Sequence, residues 1–257
     1  MRQLIAFTKK ELVELLRTGK MWLLLIIFAL FGIMNPAIAK LTPWLMEMLS
    51  DSMEETGMIL TGIQVDALTS WTQFYKNIPM ALIIFLLMIS GILTAEYQKG
   101  TLVNMLTKGL SRWKVLAAKT ITAVCLWSVC YWVCYGITYG YNAYFWENRI
   151  AGHVVLGAAF VYLLGVWFLA LVMFLSVLFH SSSGVLAAAG GIFIGGYLLE
   201  LLPFVNQYVP LRLLSAGNLL NGNAVPADFQ KAVVTAAVSG ILLLGSAAAI
   251  FNKKSIC

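Results

Sequence analysis

A catalytic nucleophile needs a base beside it and a third group to orient the base. His180, followed by Ser181, Ser182 and Ser183, is where base and hydroxyls adjoin in this sequence. No third group accompanies them, and the run divides two apolar stretches, so it reads as a polar turn. No G-x-x-x-x-G-K-[ST] run is present to cradle a nucleotide, and neither H-E-x-x-H nor G-x-S-x-G occurs. Cys125, Cys130 and Cys134 fall inside one apolar run and Cys257 at the chain end, without metal-ligand or disulfide spacing. They read as small packing residues. What remains is a polar interval, Glu96 to Lys119, carrying Lys99, Lys108, Arg112, Lys114 and Lys119. Within it Leu102, Met105 and Leu106 recur at i, i+3 and i+4, one face of a short helix. Thr101 can cap that helix, Gly109 can end it, and Ser111 can cap the next. Such an element suits docking better than catalysis.

The elements around it are apolar runs of membrane length. With 61% hydrophobic residues, 11% charged and a mean hydropathy of +0.87, the 257-residue chain is far from the soluble average of roughly 25% charged. It reads as an all-α membrane protein forming one transmembrane domain, with no room for a soluble catalytic domain beside it. Residues 1–20 predict an amphipathic helix, with Leu4, Ile5, Leu12, Leu15 and Leu16 on one side and Lys9, Lys10, Glu14 and Arg17 on the other. No signal-peptide pattern precedes the first apolar run, so that span is expected in the mature protein. Six spans follow, at 21–39, 78–95, 120–146, 154–179, 184–202 and 231–251, each near the ~20 residues a crossing needs. An acidic external loop is expected over 40–77 and an external segment over 203–228.

Lys and Arg sort across this layout. Twelve of the 17 fall on the side of the termini and the Glu96–Lys119 loop, and five on the other. The positive-inside rule then places both termini in the cytoplasm. This sorting accounts for the net charge of +6 without nucleic acid as a partner. Glu200 is the ionisable residue closest to a span interior and reads as an interfacial carboxylate.

Two patterns within the spans admit both a functional and a packing role. Trp127, Tyr131, Tyr135 and Tyr139 form an aromatic stripe at i+4 spacing, which could line a substrate path or pack against a helix or lipid. Ala187, Gly191 and Gly195 flatten one face of the fifth span, and Gly136 and Gly140 do so in the third. Either suits a close helix contact within the subunit or at a dimer seam.

Glu96, Lys99-Gly100-Thr101-Leu102, Leu106-Thr107-Lys108-Gly109-Leu110-Ser111-Arg112 and Lys119 resemble the E-x-x-x-G-T-L…L-T-K-x-[LIV]-S-R…K pattern of ABC-2 type transporter permeases, most of all the bacterial stand-alone subunits. Gly109 stands where many relatives have Pro. Trp71 to Asn77 adds a weaker likeness. The resemblance implies a permease subunit of an ATP-binding cassette exporter in a bacterial plasma membrane, multi-pass and not itself an enzyme. Residues 1–20 would be the elbow helix and the interval 96–119 the coupling loop. Glu96, Gly100, Thr101, Leu102, Met105, Leu106, Lys108, Gly109, Ser111 and Arg112 are the coupling candidates. The implied partners are two copies of a separate ATPase and a second permease copy or paralogue. No cofactor is expected on this chain, ATP and Mg belonging to the ATPase.

Two other classes fit the residues alone. A secondary carrier or channel would work without ATP, and a membrane anchor or sensor would bind a ligand at the acidic external loop without moving it.

Overall fold

In hydrocarbon every backbone N–H and C=O must find its partner within the chain, and helices satisfy that demand locally. The computed structural model describes residues 2–53, 66–107, 109–146 and 148–254. Among these the chain forms α-helices and short 3-10 segments, with no strand. Helix α1 is Arg2–Arg17, α2 Lys20–Met53, α3 Ala67–Ile89 and α4 Gly91–Gln98. The short α5, Thr101–Thr107, precedes α6, Arg112–Phe145, α7, Val154–Leu178, α8, Ser182–Glu200, and α9, Gln230–Lys253. Ser90 keeps right-handed helical geometry between α3 and α4, so the two act as one span. Among the described residues six elements are long and apolar enough to cross a membrane, and the chain is an all-helical membrane protein.

Helix α7 is the central post, with 67% of its apolar stretch buried against 11% for α8 and α9. The main core joins α2, α3 and α6 through Phe28, Phe85 and Trp127, whose rings meet edge to face at 5.2 to 6.2 Å. Trp127 then reaches α7, donating from Nε1 to the Tyr162 carbonyl at 3.2 Å. It can lie there because Gly165 has no side chain: a Cβ at that position would fall on the indole ring. A second, smaller core of Leu93, Leu102, Val115, Leu116, Val177, Ala247 and Phe251 sits at the α5 end of the bundle.

The helices run further than the sequence suggests. Helix α2 continues to Met53 and α3 begins at Ala67, so both flanks of the expected loop 40–77 are helical. Residues 54–65 lie outside the described residues. The polarity of Trp71 to Asn77 misleads because its groups are bonded inside the bundle. Trp71 donates to Asn148 at 3.1 Å, and Asn77 to Asn35 at 2.9 Å. Asn35 passes the chain of bonds to Thr138 at 3.0 Å, tying α2, α3 and α6 together without a charge. Asp66 starts α3 by accepting the Thr69 backbone N–H at 3.0 Å. The expected external segment 203–228 contains the 3-10 run Pro210–Leu219, which buries Leu211, Leu213, Ala216 and Leu219.

Candidate functional site

The interval between α4 and α6 is built by two glycines and a buried leucine. Gly100 and Gly109 have φ of +66° and +85°, values that cost other residues strain, so each can reverse the chain where a helix stops. Lys99 and Gly100 return their backbone N–H groups to the carbonyls of Ala95 and Tyr97, closing α4. Helix α5 starts at Thr101, so Thr101 is its first helical residue rather than the flanking cap. Ser111 has the extended conformation of a cap before α6, yet its hydroxyl is buried without a partner and makes no capping bond.

Leu102 is wholly buried in the smaller core, so it anchors α5 to the bundle and is withdrawn from any outer face. Met105 is half-buried, and Val103, about 100° round the helix from Leu102, is 42% exposed. Lys108 and the side chain of Leu106 lie outside the described residues. The outward side of this helix therefore includes Val103, which the periodicity did not single out.

Below α5 lies a knot of charges. Lys119, 1% exposed, donates from Nζ to Glu96 Oε1 at 2.7 Å and to Glu11 Oε2 at 2.9 Å. Glu96 and Glu11 are themselves buried, at 8% and 4%. Lys10 closes the group from its solvent side, 2.7 Å from Glu14 and 3.0 Å from Glu11. Burial disfavours its ammonium, but the bonds to Glu14 and Glu11 outweigh that and raise its pKa. The same bond from Lys10 lowers the Glu14 carboxyl against a smaller opposing effect of burial. Helix α1, the end of α4 and the start of α6 are thereby held to one another. Glu96 and Lys119 flank the short helix, and a mixed polar cavity of about 340 Å³ opens between them toward Met105 and Lys20.

The two-sided wheel of α1 does not single out Glu11. The available signal was its spacing: it falls seven after Leu4 and four before Leu15, an acid set within the apolar stripe. Lys119 likewise follows Val115 and Leu116 at i+4 and i+3 on a buried face of α6.

Arg112, at the first residue of α6, reaches across to the end of α9. One guanidinium nitrogen lies 3.2 Å from the carbonyls of Phe251 and of Asn252, and it also contacts the carbonyl of Lys254. Lys254 in turn donates to the Val177 carbonyl at 2.6 Å and lies 3.4 Å from that of Leu178, at the end of α7. Thr94 and Ser182 share a hydroxyl bond of 2.7 Å between α4 and α8.

The aromatic stripe divides. Trp127 and Tyr131 are fully buried, Tyr131 donating to the Ala158 carbonyl at 2.6 Å, so these two pack the core and wall no open path. Tyr135 is half-buried, and its ring stacks on that of the more exposed Tyr139 at 6.1 Å. Ala187 and Gly191 are exposed, and nothing lies within 4 Å of a Cβ built at Gly191 or Gly195. Their flat face is unused within the chain. Among the described residues, no three His, Cys, Asp or Glu side chains converge as metal ligands would.

Comparison with curated proteins gives no significant match. Residues 5–210 match the family described as ABC-2 family transporter protein, a stretch from α1 through α8 into the 3-10 run and short of α9. With four-fifths of its length matched and six described elements long and apolar enough to span a membrane, the chain belongs to the ABC-2 transporter family and is a membrane permease subunit of an ABC transporter.

Proposed function

We propose that this subunit serves an exporter, and that α5 is the coupling helix through which a separate ATPase drives the spans. One observation carries the reading. Helix α5 is a short rod between two spans, bounded by left-handed glycines, pinned inward by Leu102 and open outward at Val103. A stiff element held at both ends by spans transmits displacement, whereas a slack loop absorbs it. The charge sorting of Lys and Arg supports a cytoplasmic position for α5 and both termini. The bare face of Ala187, Gly191 and Gly195 supports a second permease copy or paralogue, each copy paired with one ATPase that holds ATP and Mg. No nucleotide contact is assigned to this chain.

The test is purification of the permease with its native ATPase, comparing wild type with Val103→Asp. A charge on the outward side of α5 is expected to weaken ATPase association at least tenfold while leaving the thermal midpoint of the permease in detergent unchanged. Unaltered association and turnover would overturn the reading. Substrate flux down a gradient by the permease alone in vesicles would replace it with a carrier.

A further inference from the structure

Helix α9 lies beyond the segment that identifies the family, and it is barely buried, yet its end is wired directly to the coupling loop. The free carbonyls at a helix C-terminus carry partial negative charge and suit a cation. Two such ends stand side by side here, each held by a cation from another element. Arg112, at the exit of the loop, holds the carbonyls of Phe251, Asn252 and Lys254. Lys254, just past α9, holds those of Val177 and Leu178. Beneath them the smaller core puts Leu102 of α5 with Phe251 and Ala247 of α9 and Val177 of α7. Tyr97 completes the junction, its ring 6.3 Å from Phe251 and 5.3 Å from the Lys254 ammonium.

We propose that Arg112 and Lys254 are positioning residues that make the ends of α9 and α7 move with the coupling helix. This rests on the reading of α5 as the element that meets the ATPase. Apolar contact at Leu102 sets the spacing, and the two cations resist the ends pulling apart. A direction of force is built in: α5 and α6 are joined covalently, α6 grips α9 through Arg112, and α9 grips α7 through Lys254. The last span is thus a driven element and not a passive lipid-facing wall.

The experiment uses the permease with its native ATPase in nanodiscs, with Cys125 and Cys257 replaced by Ser. Spin labels are placed at Thr101→Cys, half-buried at the start of α5 and turned away from the Val103 side, and at Ile241→Cys, exposed on α9. A reference pair joins Thr101→Cys to Ile83→Cys on α3. Distances are compared between the nucleotide-free and the ATP-vanadate-trapped complex. In the wild-type background the reference distance is expected to change on trapping, while the α5 to α9 distance stays single and constant.

In Arg112→Gln with Lys254→Met, the α5 to α9 distribution is expected to broaden at least twofold on trapping, and Arg112→Lys with native Lys254 is expected to restore the narrow one. An α5 to α9 distance that behaves identically in wild type and the double variant, while the reference pair moves, overturns this proposal alone. No nucleotide-dependent change in either wild-type pair overturns it together with the coupling-helix reading. Should the double variant fail to assemble, Lys254→Met is read alone with labels at Ile241→Cys on α9 and Phe179→Cys just past α7, both exposed, and the α9 to α7 distribution is expected to broaden on trapping. A distribution there as narrow as that of the wild type counts against the assignment of Lys254.

Discussion

Helix α6 takes part in two buried polar knots, and they are made of different material. Near its start Lys119 joins Glu11 and Glu96 with full charges, tying α6 to α1 and α4. Near its other end Thr138, Asn35 and Asn77 join α6 to α2 and α3 with neutral groups alone. A neutral hydrogen bond that is lost leaves a dipole to be resolvated, while a lost ion pair leaves an uncompensated charge. The charged knot is therefore the all-or-none fastening. The neutral one is tolerant, and Thr138 shows why: its hydroxyl also lies 3.1 Å from both the Gly32 and the Cys134 carbonyls, so it has other partners at hand.

The largest expected effect comes from removing the hub. Lys119→Met strands the Glu11 and Glu96 carboxylates and is expected to cost about 3–5 kcal/mol, seen as loss of the monodisperse peak after mild heating in detergent. Adding Glu11→Gln and Glu96→Gln to that variant is expected to recover most of the loss, which no single-charge explanation would allow. Between the knots, Gly165→Ala drives a Cβ into a Trp127 ring already fixed by Phe28 and Phe85, at a cost of about 1–3 kcal/mol. Gly191→Ala meets nothing within the chain and is expected to leave the thermal midpoint unchanged or slightly raised. At the neutral knot Asn35→Leu is expected to cost about 1–3 kcal/mol, and Asn35→Leu with Asn77→Leu less than the sum of the two single variants.

The smallest effect concerns pH. The folded Glu14 carboxyl titrates below its ordinary 4.5 because of Lys10, so its contribution is present above 4.5 and fades as pH falls through the lower folded value. The folded Lys10 ammonium titrates above its ordinary 10.5, so its contribution is present below 10.5 and fades only as pH rises through the higher value. Thermal midpoints are accordingly expected to be flat from about pH 6 to 9 and to drop on the acid side, less so in Glu14→Gln. A midpoint that shifts within the neutral range would mean that another group governs the attachment of α1.

Much of this was legible before any coordinates. Span number and the α5 interval follow from apolar run length and from Gly100 and Gly109, because both rest on local physics: backbone satisfaction in lipid and the left-handed region of φ. The partners of Lys119 were not legible. Glu11 is 108 residues away from it, and a carboxylate on α1 looks like any interfacial acid until the helix is docked. Leu102 teaches the complementary lesson: periodicity identifies an apolar face but not what covers it, and here the cover comes from α9 and α7. The polar run Trp71 to Asn77, inside α3, reads as loop because hydrogen bonds to Asn148 and Asn35 cannot be seen from neighbouring residues.

Consider finally the separation of the two knots. Lys119 and Thr138 are 19 residues apart on α6, which at 1.5 Å per residue is about 28 Å, close to the ~30 Å of a typical hydrocarbon layer. Glu96 and Asn77 repeat that interval of 19 along α3 and α4. The two knots are thus about as far apart as a hydrocarbon layer is thick. With one at each boundary, neither could slide without dragging bonded polar atoms into hydrocarbon. In membranes of longer or shorter lipids the subunit would answer by tilting as a unit, the mismatch being carried by the surrounding lipid and not by the bundle.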